Sequence, residues 1–197
     1  MGFPAFKYTT PEDYLAMELS APERHEYFEG SVYAMAGATD NHLFIVGNLS
    51  SEIQSFIKGK GCRVSTSDLR ITTPHFESYM YPDISITCGK AEKKEGVFNT
   101  STNPSVIIEV TSESTEKYDR GYKYIYYLQI PSLKEYIIVD SVRCKVEINR
   151  KLENGNWVKL VTEDINGSIF ISTINMNIAI KDIYFEVSFD STETSSH

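Results

Sequence analysis

The stretch Val106-Ile107-Ile108-Glu109-Val110 puts one carboxylate into a run that is otherwise apolar and β-branched. A run of this length and make-up predicts a buried strand. Burying an unpaired carboxylate is costly, so Glu109 needs a cation, a proton or a dense set of donors around it. The polar stretches on either side, ending at Ser105 and beginning at Thr111, could carry an acid at no such cost. That placement makes Glu109 the first candidate for a functional group.

The segments around this strand set the fold class. Residues 8–19 open with Thr10 as a helix N-cap, Pro11 at the first helical position and Asp13 where a capping-box acid falls. Residues 24–37 alternate on either side of Glu29-Gly30 and predict a β-hairpin. Leu43, Val46, Leu49, Ile53, Phe56 and Ile57 recur at helical spacing, in a helix that starts at Thr39 or Asp40 and stops near Gly59 and Gly61. Two short β-type segments follow, at 62–74 and 79–87, and residues 88–104 are polar and read as a loop or flap. After the Glu109 strand comes a helical segment closed by Pro131, a strand at 134–140, and a hairpin with its turn near Asn154-Gly155. The order indicates an α/β domain on a mixed sheet, spanning residues 1–189, with a polar tail at 190–197 expected to be disordered.

A second acid stands at a comparable point. Asp83 lies where the chain enters a strand, behind Pro82, which has no backbone donor. If the two strands are neighbours, Asp83 and Glu109 converge, and two carboxylates held together need a cation or a shared proton. Mg²⁺ suits such a site, because it takes oxygen ligands and keeps waters that can attack a substrate. The plainer alternative has Asp83 capping a strand and Glu109 pairing with a lysine or arginine. In the helical segment that follows, Asp119 and Lys123 stand four apart and Tyr127 a further turn on. Lys123 could then reach the acids, or simply form an i,i+4 ion pair.

In order along the chain, Pro82-Asp83, Ile107-Ile108-Glu109-Val110-Thr111, the segment Asp119–Tyr127 and Lys134–Asp140 resemble the Uma family of restriction-endonuclease-like proteins, within the PD-(D/E)XK nuclease superfamily. The likeness runs through most of the chain. It implies a restriction-endonuclease-like fold, an αβββαβ core with a mixed central sheet and here extra C-terminal strands, and a divalent metal, Mg²⁺ or Mn²⁺. By the same resemblance Asp83 and Glu109 are metal ligands, and Glu26 is an upstream acid at the metal, with Glu29 close enough to compete. Lys123 matches a catalytic lysine moved into the helix, Asp119 its companion, and His42 a histidine at the start of the second helix. The sequence departs from the superfamily pattern at Thr111, where the parent motif has a lysine.

These residues imply a divalent-metal-dependent endonuclease acting on DNA, with a catalytically inactive nucleic-acid- or protein-binding module as the alternative. A net charge of −8 disfavours nucleic acid at long range, so a local basic patch is required. Lys117, Arg120 and Lys123 in the helix, and Lys90, Lys93 and Lys94 in the flap, are the candidates for phosphate contacts. A homodimer fits an enzyme that cuts both strands. No apolar run reaches membrane-spanning length, and no secretory leader is evident. Three widely spaced cysteines, Cys62, Cys88 and Cys144, argue against a disulfide framework and for a reducing cytoplasm.

Overall fold

The computed structural model describes residues 8–35, 37–74 and 78–189. The expectation of a disordered tail at 190–197 lies outside the described residues. Helix α1 (Pro11–Ser20) begins as its sequence dictates, with the Thr10 hydroxyl accepting from the Asp13 N–H. Strands β1 (His25–Phe28) and β2 (Ser31–Ala34) form the expected hairpin, and Phe28 pairs with Ser31. Its two-residue turn needs positive φ twice, met by Glu29 at 43° and Gly30 at 91°. Helix α2 (Asp40–Ile57) is capped by Thr39.

Next come β3 (Cys62–Thr66), β4 (Arg70–Thr72), β5 (Ser78–Met80), β6 (Ile84–Cys88), β7 (Thr100–Ser101) and β8 (Val106–Thr111). The segment after β8 is helical but not uniform. A short α3 (Glu116–Tyr118) leads into a π-helical turn (Asp119–Lys123) and then α4 (Tyr124–Tyr127). Strands β9 (Glu135–Asp140), β10 (Val146–Lys151) and β11 (Trp157–Thr162) complete the main sheet, and β12 (Ser168–Ile171), β13 (Met176–Ala179) and α5 (Ile180–Ile183) close the chain.

The main sheet has the order β11-β10-β9-β8-β6-β3. It is mixed: β8 runs parallel to β9 and antiparallel to β6. A second sheet has the order β2-β1-β5-β4-β7. Strand β8 sits inside the main sheet and is buried at all six positions. Its side chains alternate between two layers. Val106, Ile108 and Val110 join Ile45, Leu49, Ile53 and Ile57 of α2 in one apolar cluster. Ile107 faces the other way, toward Tyr127, Ile130, Tyr136 and Ile138, and toward Phe28, Ile71 and Met80 of the second sheet. Glu109 therefore points into this second layer.

Helix α2 stands where the spacing put it; its buried stripe is Ile45-Leu49-Ile53-Ile57, and Leu43 is 56% exposed. Steps of four keep one narrow line against the sheet, so residues on the flank of the periodic set face outward. The cysteine reading is corrected: Cys62 and Cys88 form a disulfide. They are widely separated in sequence but lie directly opposite each other in the antiparallel β3–β6 pair. Spacing along the chain says nothing about such a juxtaposition. Cys144 is free.

Candidate active site

The antiparallel register of β6 and β8 pairs Ile84 with Ile108 and Ser85 with Ile107. One further step brings Asp83 opposite Glu109. The two acids hold each other's backbones reciprocally. The Asp83 N–H donates to Glu109 Oε2 at 3.3 Å, and the Val110 N–H donates to Asp83 Oδ2 at 2.7 Å. The other oxygen of Asp83 meets His42 Nε2 at 3.1 Å, delivered by the first turn of α2.

Lys123 enters from the π-helical turn. Its Nζ lies 3.0 Å from Glu109 Oε1, 3.0 Å from Glu26 Oε1 and 3.6 Å from Asp119 Oδ1. The Tyr127 hydroxyl, one turn further along, also donates to Glu109 Oε1 at 2.9 Å. Glu26 comes from β1 and accepts a second bond, from the Tyr81 N–H at 2.9 Å. Glu29, its competitor in sequence, is exposed in the hairpin turn. A π turn inserts extra backbone into a helix and often occurs where side chains must be re-aimed for function. Here it lies where Asp119 and Lys123 both face inward and are buried.

The charge balance of this cluster is unusual. Four acids (Glu26, Asp83, Glu109 and Asp119) share one ammonium and one imidazole. Burial pushes the Glu109 carboxyl well above the usual carboxylate range; Lys123 opposes the shift, while Asp83, Asp119 and Glu26 add to it. Asp119 is raised too, chiefly by burial. Burial pulls the Lys123 ammonium down, but Glu109, Glu26, Asp119 and Asp83 together outweigh it and hold it well above the lysine range. Burial also works against a charged His42, and the bond to Asp83 more than offsets it, leaving the imidazole raised.

The donor chemistry fits a divalent ion taken by two carboxylates. Asp83 and Glu109 offer hard oxygens on adjoining strands, and four acids outnumber the two cations, Lys123 and His42, that face them. It does not fit a closed cage: among the described residues no group of three acids, histidines or cysteines converges as a ready-made ion site. An ion that keeps most of its waters needs no such cage.

The acids stand at the wall of a cleft of about 900 Å³, lined also by His42, Lys123, Tyr33, Tyr118 and the hydroxyl-rich residues Ser112, Ser114 and Thr115. The structure thus brings together Glu26, His42, Asp83, Glu109, Asp119, Lys123 and Tyr127. Thr111 is buried one strand position beyond Val110, and its carbonyl accepts from the Ser141 N–H and hydroxyl. The five other basic residues are not gathered there. Lys90, Lys93, Lys94, Lys117 and Arg120 do not line the cleft. Arg120 is held by Glu116 and Glu147, and the Lys94 amine lies against the Tyr79 hydroxyl. Tyr81, whose N–H fixes Glu26, carries no signal in the sequence, because its role is played by the backbone.

Residues 11–177 match the family described as "Uma2: Putative restriction endonuclease". The chain belongs to this Uma2 family. Two relatives from Synechocystis sp. (strain ATCC 27184 / PCC 6803 / Kazusa) are similar over most of their length. The uncharacterized protein slr1290 is 34% identical over 93% of this chain and 95% of its own. The uncharacterized protein sll1609 is 33% identical over 80% of this chain and 88% of its own. Among solved structures, a putative nuclease belonging to DUF820 from Anabaena variabilis superposes with a TM-score of 0.71. At 20% identity it covers 87% of this chain and 97% of that one. The Uma2 chain has the restriction-endonuclease-like fold.

Proposed function

We propose that this Uma2 protein is a divalent-metal-dependent endonuclease that hydrolyses DNA phosphodiester bonds, using residues 1–189 as one domain. The observation that carries the reading is the register of β6 and β8, which faces Asp83 with Glu109 while Lys123 reaches the same carboxylate at 3.0 Å. Asp83 and Glu109 would hold Mg²⁺ or Mn²⁺. Such an ion supplies an activated water and neutralises charge on the phosphate.

The chain's own residues have separable tasks. His42 positions Asp83 by bonding one oxygen and leaving the carboxylate turned toward the cleft. Glu26 and Asp119 hold Lys123 charged, so that its ammonium can polarise the attacking water or stabilise the developing oxyanion. This supplies from a helix what the parent motif supplies from the position of Thr111. Tyr127 fixes the rotamer of Glu109 through its hydroxyl. Glu26, shared between Lys123 and the Tyr81 N–H, serves the lysine more directly than it serves an ion. The homodimer and the cytoplasmic setting belong to the same reading, although the Cys62–Cys88 disulfide removes the cysteines as support for the setting. Among the described residues no helix is long and apolar enough to cross a membrane.

The test is nicking of supercoiled plasmid by purified protein with Mg²⁺ or Mn²⁺. Glu109→Gln should lower the rate by more than about 100-fold, as loss of a metal ligand does, with an unchanged circular-dichroism spectrum. Cleavage that survives this substitution or excess EDTA would overturn the reading. One observation favours a second reading, a fold kept for binding alone: Lys123 already bridges Glu26 and Glu109, and so could close the site permanently. Titration calorimetry separates the two. A nuclease takes up Mn²⁺ and loses it in Asp83→Asn, whereas a closed site takes up none.

A further inference from the structure

We propose that the cleft accepts a single-stranded stretch of nucleic acid, its bases stacked on Tyr33 and Tyr118 of the wall and on Tyr122 next to it, in preference to an intact duplex. The inference rests on the nuclease reading of the acids and adds to it the class of substrate.

Two observations lead there. The first is the charge of the cleft. Among the described residues that line it, the cations are Lys123 and His42, and both are bonded to acids, while Glu113 adds a further negative charge at the wall. A duplex is held chiefly by many lysine and arginine contacts along two phosphate backbones. The basic residues that could supply them, Lys90, Lys93, Lys94, Lys117 and Arg120, lie outside this cleft.

The second is a row of aromatic rings leading to the acids. Phe28 and Tyr33 have centroids 6.0 Å apart, Tyr33 and Tyr118 6.0 Å, and Tyr118 and Tyr122 6.3 Å. Phe28 is buried and anchors the row, Tyr118 is half-buried against it, and the two ends are open: Tyr33 in the cleft wall is 49% exposed and Tyr122, beyond the wall, 65%. The other tyrosines of the helical segment do not share this exposure: Tyr127 is fully buried, and Tyr124 packs with Tyr136. The row also reaches the reacting centre, since the Lys123 ammonium sits 5.7 Å from the centroid of the Tyr118 ring. Stacking on aromatic rings is how proteins hold single strands without reading their sequence, and it needs unpaired bases. A strand stacked along the row runs its backbone past Asp83 and Glu109, where a divalent ion would compensate the acidic wall.

The test is fluorescence anisotropy with an end-labelled oligodeoxynucleotide, single-stranded or annealed to its complement, in Ca²⁺. The single strand should bind at least about tenfold more tightly, and Tyr33→Ala and Tyr122→Ala should each weaken it about tenfold. Tyr33→Phe and Tyr122→Phe should keep wild-type binding, because the ring and not the hydroxyl stacks. Both positions are exposed, so the alanine variants should fold normally. Equal or tighter duplex binding, no binding of either form, or indifference to the alanines would overturn the inference. The two readings fail separately. If the alanines change nothing but Glu109→Gln still abolishes nicking, the substrate class falls and the nuclease stands. If stacking-dependent binding occurs without metal-dependent cleavage, the nuclease falls and the strand-binding cleft stands.

Discussion

Two buried glutamates on the main sheet have opposite surroundings. Glu109 on β8 is 2% exposed and Glu147 on β10 is 4% exposed. Glu147 is one acid among three cations: Lys159 at 3.1 Å, Lys145 at 3.2 Å, and Arg120. Glu109 is one of three acids around a single lysine, with Asp83 beside it held by His42. Burial raises both carboxyls. At Glu147 the surrounding cations outweigh burial and bring it below the usual range, while at Glu109 burial prevails over Lys123 and the neighbouring acids add to it, leaving it well above. One π-helical turn serves both, sending Arg120 to Glu147 and Lys123 to Glu109. The cations around Glu147 match what a buried charge requires of structure alone, whereas a buried carboxyl whose charged form is disfavoured by its surroundings is the kind of group that concentrates at functional sites.

The largest expected effect comes from removing the shared lysine. Lys123→Met leaves three buried acids without their cation and should destabilise the protein by about 3–5 kcal/mol at neutral pH, read by urea denaturation. The loss should shrink in acid, where the carboxyls protonate; a pH-independent loss would mean that packing and not charge is at stake.

Next is Glu147→Gln, which takes the acid from Lys159 and leaves Arg120 with Glu116 and Lys145 with Glu163, and should cost about 1–3 kcal/mol at pH 7. Because the Glu147 pKa is depressed on folding, its stabilisation is present above the usual glutamate range and is lost as pH falls through the lower folded value. Wild type and variant should therefore converge in stability only once the pH has fallen past that depressed folded value. A gap that stays constant into acid would refute the charge assignment.

Glu109 carries the opposite sign. Its pKa is raised on folding, so its contribution is most favourable below the usual carboxylate range and is lost as pH rises toward the folded value. Metal-free wild type should lose melting temperature over that rise, Glu109→Gln should not, and added Mn²⁺ should restore it. Parallel melting profiles for the two proteins would break the comparison with Glu147.

The smallest effect should be Lys159→Ala. Its side chain is 55% exposed, and Glu147 retains two other cations, so a change under about 1 kcal/mol is expected. A larger loss would show that the three cations act as a unit.

Much of the fold was legible from local signals. Thr10 and Thr39 as caps, the Glu29-Gly30 turn and the β-branched run at Val106–Val110 each act through neighbours in sequence. So did the oddity of Glu109, since an acid in an apolar strand is visible without coordinates. Helical spacing located α2 but not which of its periodic residues face the sheet, and Leu43 faces outward. The Cys62–Cys88 pair was missed because cross-strand partners are unrelated in sequence spacing.

The sequence by itself determined which residues could carry charge into the interior, and on which elements, because propensity and periodicity are local properties. Only the tertiary structure decided what each charge meets. The register of β6 against β8 set Asp83 opposite Glu109, the packing of β1 chose Glu26 over Glu29, and the π turn gave Lys123 to the acids while giving Arg120 to Glu147. The physical reason is one of range. Hydrogen-bonded turns and caps form over a few residues, but a carboxylate in a low-dielectric interior responds to every charge within several ångströms, whatever its position in the chain.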